Sequence, residues 1–185
     1  RRRKHVLVSA LCTMILVIGV LAWLNISRGN VAVHAPPGDW LFPIWLIDFQ
    51  RQIIWAHALW IADQAPWFGI GANTINFTPG ADAPLPGTNG LHVIPAHPHN
   101  WAIEILVETG AFGLIALLIT IASVMLSFLR EFQRSRSPQA VCAIAVMAGY
   151  WASGLFNFSY WSAWWQVSFV LALAITGVNS ARSSS

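Results

Sequence analysis

Residues 110–129 read GAFGLIALLITIASVMLSFL, and no charged side chain interrupts them. Wound as a helix, a run of this length covers the roughly 30 Å hydrocarbon core of a bilayer. The stretch just before it, residues 92–109, reads HVIPAHPHNWAIEILVET and carries the densest set of polar side chains in the chain. No turn residue separates Trp101–Thr109 from Gly110. One long helix is therefore predicted, polar at its start and apolar afterwards.

The composition agrees with a lipid environment. The chain has 185 residues, of which 56% are hydrophobic and only 9% charged, whereas an average soluble domain is roughly a quarter charged. Val6 to Leu24 is a second uncharged run long enough to cross a bilayer, and Ala140 to Val178 is a third, too long for one crossing. Gly154, Asn157 and Ser159 interrupt it, which splits it into spans near Pro138 to Leu155 and Trp161 to Val178. The predicted fold class is thus an all-α polytopic membrane protein with about four transmembrane helices and one large loop containing short helices. Residues 1–24 form the first helix with its basic start, 25–100 the loop, and 101–185 three further helices. The first residues, Arg1-Arg2-Arg3-Lys4, carry no initiating methionine, and the chain reads as the C-terminal part of a larger membrane protein.

Four spans place Arg1, Arg2, Arg3, Lys4, Arg130, Arg134, Arg136 and Arg182 on one side of the membrane, and only Arg28 and Arg51 on the other. Basic residues favour the cytoplasmic face, so the 25–100 loop is expected in the periplasm or outside the cell. The ten basic residues form no stripe, and nucleic-acid binding is not indicated. Cys12 and Cys142 sit in apolar runs and suggest neither a disulfide framework nor a zinc motif.

Within the loop, Ile47 to Gln64 reads as a helix lying along the membrane surface. From Pro66 to Pro98, glycine and proline recur at Gly69, Gly71, Pro79, Gly80, Pro84, Pro86, Gly87, Gly90 and Pro95, which predicts irregular backbone held by turns. Long loops of this kind are usually functional or disordered. At its end, Asn100 suits a helix N-cap, and Pro98 prevents an earlier start. Glu104 and Glu108, four residues apart, share a helix face as a like-charge pair near lipid, so polar groups should face them.

Three stretches together resemble the O-antigen ligase and polymerase superfamily. His99-Asn100 is followed by nine residues and then Gly110-Ala111-Phe112-Gly113, similar to that superfamily's pattern of His and Asn, nine residues and G-x-x-G. Arg51 and Trp55, then Pro66-Trp67-Phe68-Gly69-Ile70-Gly71 and Phe77, resemble its R-x-x-x-W, P-x-x-G-x-G and F. Gly154 to Ser159 is similar to the end of its penultimate helix. The resemblance covers residues 51–160 and departs from the family in helix number. A further arginine of the ligases has no firm counterpart here, Arg28 included.

The resemblance implies a metal-independent membrane glycosyltransferase of lipopolysaccharide or other polysaccharide biosynthesis, in the bacterial inner membrane. Its donor would be a glycan on a polyprenyl diphosphate such as undecaprenyl diphosphate. The acceptor would be a hydroxyl of the lipid A core, of another glycan in a polymerase, or of a protein in an O-linked oligosaccharyltransferase. His99 is the implied general base, Arg51 binds the departing diphosphate, and Glu104 or Glu108 orients the histidine. Asn100, Trp55, Gly69, Gly71, His97 and Glu108 complete the expected substrate site, with no cofactor and no metal.

Blander readings stand beside these. His99 can be a polar residue at a helix mouth, Arg51 can snorkel to headgroups, and Gly69-Ile70-Gly71 can be a tight turn that brings backbone to the pocket. His92, His97 and His99 are too loosely spaced for a firm zinc site. Trp161, Trp164 and Trp165 suit an interfacial belt, whereas Trp67 and Trp101 are candidates for stacking on a sugar. A transporter of a small anion needs polar residues inside the spans. Val6 to Leu24 offers only Ser9 and Thr13, and Gly110 to Leu129 only Thr120, Ser123 and Ser127.

Overall fold

The computed structural model describes Phe42, residues 47–85, Thr88 and residues 90–182, with side chains as far as residue 176. The expected first span, Val6 to Leu24, lies outside these residues, as do Cys12 and Arg28. The chain divides into two compact units, residues 1–56 and residues 57–185. In order, the described elements are α1 (Phe49–Gln64), a 3-10 turn (Ile75–Phe77), α2 (Trp101–Ser135), α3 (Pro138–Ser153) and α4 (Ala163–Arg182). The described residues are mostly helical and contain no strand.

Helix α1 begins at Phe49 because Asp48 caps it, accepting the Arg51 N–H on Oδ1 at 2.9 Å. The following loop is irregular, as its glycines and prolines require, yet it is packed. Residues 81–85 and 91–94 cross one another through Leu85 N–H to Leu91 O, Val93 N–H to Ala83 O and Ile94 N–H to Ala81 O. Ile75, Ala81, Leu85, Val93 and Ile94 are buried between these turns.

Helix α2 starts where its sequence says it should. Asn100 accepts the N–H groups of Ala102 and Ile103 on Oδ1, at 3.0 and 3.1 Å. The helix runs 35 residues, with mean hydropathy 2.5 over its most apolar stretch, none of whose side chains is fully buried. Among the described residues it is the one helix long and apolar enough to cross a membrane. Its hydroxyls are spent on its own backbone: Thr120, Ser123 and Ser127 each donate to the carbonyl four residues earlier.

Arg136, in left-handed backbone at φ 55, ends α2 and returns its N–H to Phe132 O. Ser137 then caps α3, with Pro138 at its first position. Only 16 residues long, α3 falls short of the roughly 20 that span a bilayer. Ala140, Ala143 and Met147 form its buried face and recur at helical spacing. Tyr150 stacks on Trp165 and Phe169 of α4 at 4.1 and 4.2 Å between ring centroids.

Candidate active site

Gly110 breaks α2. Its φ of 70° and ψ of −172° are non-helical, in a region open essentially to glycine alone. In an unbroken helix, the N–H groups of Ala111 and Phe112 would bond to the carbonyls of Val107 and Glu108. Instead the loop supplies all four partners. Ile70 and Gly71 donate to Val107 O and Glu108 O at 3.0 and 2.9 Å, while Ala111 and Phe112 donate to Pro66 O and Trp67 O at 2.8 and 3.3 Å.

This pairing demands close backbone approach. A Cβ on Gly69 would lie 2.3 Å from the Glu108 carbonyl carbon, and one on Gly110 would lie 2.2 Å from Trp67 C and O. Gly71, at φ 112°, also needs glycine's freedom. The two loop glycines were expected to bring backbone to a pocket; the backbone they meet is that of α2.

The buried carboxylates of α2 hold two other segments in place. Glu108 accepts the consecutive N–H groups of Asn73, Thr74 and Ile75 at 2.6, 2.9 and 3.1 Å, and also the indole N–H of Trp161. It thereby caps the 3-10 turn, which Thr74 leaves without a side-chain cap. Glu104 accepts the Ser159 hydroxyl at 2.7 Å and the Tyr160 N–H at 2.5 Å. These are the polar groups that the Glu104–Glu108 pair called for.

The turn after α3 consequently runs beside the first turns of α2. The Trp101 N–H bonds to Gly154 O at 3.2 Å, and its indole donates to Trp151 O at 2.8 Å. Trp101 is buried, while Trp67 remains 62% exposed. A Cβ on Gly154 would meet Trp101 Cδ1 at 2.9 Å, so the glycine allows the approach.

His99 lies at the mouth of this arrangement, half-buried, in left-handed backbone at φ 55. Its Nδ1 is 2.9 Å from the Asn157 carbonyl oxygen. A carbonyl only accepts, so in the neutral ring Nδ1 carries the proton and Nε2 keeps its lone pair. His97 stands beside it, with ring centroids 4.2 Å apart, and its Nδ1 accepts the His99 backbone N–H at 3.2 Å. Burial first, and His99 second, hold the His97 pKa down at about 4.

Glu104, expected to orient His99, spends its carboxylate on Ser159 and Tyr160; the Asn157 carbonyl holds the ring instead. Glu104 thus anchors the turn that carries that carbonyl. His92 is exposed, with Nδ1 on Asp82 O at 2.7 Å. Among the described residues, no three His, Cys, Asp or Glu side chains gather as a metal-ligand set.

Arg51 and Trp55 belong to the unit of residues 1–56. Trp55 is buried. The Arg51 guanidinium pairs with Asp48, both side chains about two-fifths exposed. Sequence reading missed Asp48 as that partner, although a carboxylate three residues before an arginine at a helix start is a legible signal.

A helix long and apolar enough to cross a membrane is thus broken at Gly110 and stitched there to a glycine-rich loop, with a histidine held by a backbone carbonyl just before its start. The family profile described as O-antigen ligase matches residues 1–118, and the chain belongs to that family. Its relatives include proteins named "putative polysaccharide ligase" in three Rickettsia species. The one from Rickettsia conorii is 24% identical over 68% of this chain and 30% of its own length. Those from Rickettsia typhi and Rickettsia prowazekii are each 25% identical over 82% of this chain and 34% of theirs. The chain therefore spans about a third of the length of these relatives. No solved structure matches it.

Proposed function

We propose that this chain carries the transfer centre of a bacterial inner-membrane glycosyltransferase, which moves a glycan from a polyprenyl diphosphate to an acceptor hydroxyl. The observation that carries the reading is the 2.9 Å bond from His99 Nδ1 to the Asn157 carbonyl, which leaves Nε2 as the proton acceptor. In the reaction, the acceptor oxygen bonds to the anomeric carbon as the bond from that carbon to the diphosphate oxygen breaks. The electron pair leaves with the diphosphate, and the hydroxyl proton passes to His99 Nε2.

Arg51 stabilises the departing diphosphate, exchanging Asp48 for phosphate oxygens. Glu104 acts through the turn it anchors, keeping the Asn157 carbonyl against the imidazole. The loop faces the periplasm, where lipid-linked glycans meet their acceptors. Ligation to a lipid A core, polymerisation of repeat units and O-linked transfer to protein share this donor chemistry and differ in the acceptor.

The test is transfer by the full-length protein in membranes, from a polyprenyl-diphosphate glycan to candidate acceptors, with and without a chelator. His99→Ala should abolish transfer while the protein still inserts, and wild-type transfer should survive the chelator. Retained activity in His99→Ala would remove the histidine from the chemistry.

A further inference from the structure

His97 and His99 are both tied to the backbone through Nδ1, but in opposite senses. His99 Nδ1 faces the Asn157 carbonyl, an acceptor, and so carries a proton. His97 Nδ1 faces the His99 backbone N–H, a donor, and so is bare, leaving the ring proton on Nε2. Among the described residues no hydrogen bond engages either Nε2. Two neighbouring rings, with centroids 4.2 Å apart and planes tilted by 57°, thus carry one bare nitrogen and one N–H.

We infer that the pair forms a clamp for a single acceptor hydroxyl, with His97 Nε2–H donating to its oxygen and His99 Nε2 accepting its hydrogen. The inference rests on the glycosyl-transfer reading above. An alcohol oxygen has four tetrahedral directions. One holds its own carbon, one the hydrogen aimed at His99, and one the lone pair that receives the His97 N–H. Only one lone pair remains, so its direction is set, and it is the one that attacks the anomeric carbon. Orientation of this kind lowers a barrier without any new charge.

Burial supports the assignment, because it keeps His97 neutral at physiological pH, and a neutral donor leaves the incoming hydroxyl's proton to His99. In the transfer step the hydroxyl O–H bond breaks, its proton moves to His99 Nε2, the new C–O bond forms and the diphosphate leaves with the electron pair. His97 keeps its proton throughout. The substrate class that fits is a sugar or side-chain alcohol with one accessible hydroxyl, rather than an amine, whose nitrogen has a single lone pair and cannot both accept from His97 and attack.

Two substitutions separate this role from a structural one. His97→Gln places an amide N–H near the position of Nε2 but loses the acceptor for the His99 N–H. His97→Asn keeps an acceptor near the position of Nδ1 and loses the distal donor. The full-length protein in membranes is assayed for kcat and acceptor KM, with His99→Ala alongside. The clamp predicts a kcat for His97→Gln about tenfold above that of His97→Asn, the size of effect one hydrogen bond supplies. Equal values, or a better His97→Asn, would overturn it.

Full activity in His99→Ala would instead bring down the glycosyl-transfer reading itself. A measurement independent of turnover is the nitrogen-15 spectrum of histidine-labelled full-length protein. It should show the Nε2–H form for His97 and the Nδ1–H form for His99; one tautomer shared by both rings would refute the clamp.

Discussion

Replacing Gly110 by alanine puts a methyl group where the loop backbone already lies. The added Cβ would stand 2.2 Å from Trp67 C and O and 2.4 Å from Phe68 N. These are main-chain atoms, unable to swing aside as a side chain can, so the loop must retreat by about an ångström to reach ordinary contact. The bonds from Ala111 and Phe112 to Pro66 and Trp67 would then break, at about 0.5 to 1.5 kcal/mol for each hydrogen bond lost. The non-helical backbone of residue 110 adds about 1 to 3 kcal/mol of strain for any residue but glycine. The two bonds and the strain together amount to about 2 to 6 kcal/mol.

Purified full-length protein in detergent should therefore melt on the order of 10 °C lower as Gly110→Ala, and protease should nick it between residues 66 and 78. Gly149→Ala is the control. That glycine lies inside α3, and its Cβ would meet nothing within 4 Å, so the variant should match or slightly exceed the parent. Wild-type melting and protease resistance in Gly110→Ala would show that the loop is not seated on the helix break.

Further outcomes are expected. Arg51→Lys keeps the charge but loses the bidentate fork, and transfer should fall about ten- to a hundredfold; near-normal turnover would mean that Arg51 serves only the helix start. The depressed His97 pKa, about 4 against 6.5 for an ordinary histidine, makes stability pH-dependent. Above pH 6.5 both folded and unfolded states hold the ring neutral, and below it the unfolded chain takes the proton first. Stability should therefore fall as pH drops from 6.5 towards 4, more steeply in the parent than in His97→Gln; parallel melting curves would contradict the shift. Asp82 is exposed on the loop, and a cysteine there should react with an impermeant reagent from the periplasmic side only.

Much of the site's frame can be read from residue order, and its joints cannot. The start of α2 was legible because Pro98, Asn100 and the apolar run are adjacent, and capping is local chemistry. The need for polar partners at Glu104 and Glu108 was legible too, from their spacing on one face. Their identity was not, since Asn73 to Ile75 and Ser159 to Trp161 lie 33 to 56 residues away along the chain. The group holding His99 is a main-chain oxygen, and every residue has one, so no side-chain type announces Asn157. Trp161 read as a membrane-belt residue because an indole suits an interface whether or not its N–H meets a carboxylate. Gly69 and Gly110 each signalled a backbone without room for a side chain, but only the fold shows that they make room for one another.

The exchange of hydrogen bonds at that break has a consequence for engineering. Residues 66–71 and 107–112 lie some forty positions apart, yet each supplies what the other lacks. They act as one structural unit in two pieces. A chimera that borrows the loop of a relative must therefore keep glycine at both 69 and 110, because a side chain on either piece pushes apart the main chains that satisfy one another.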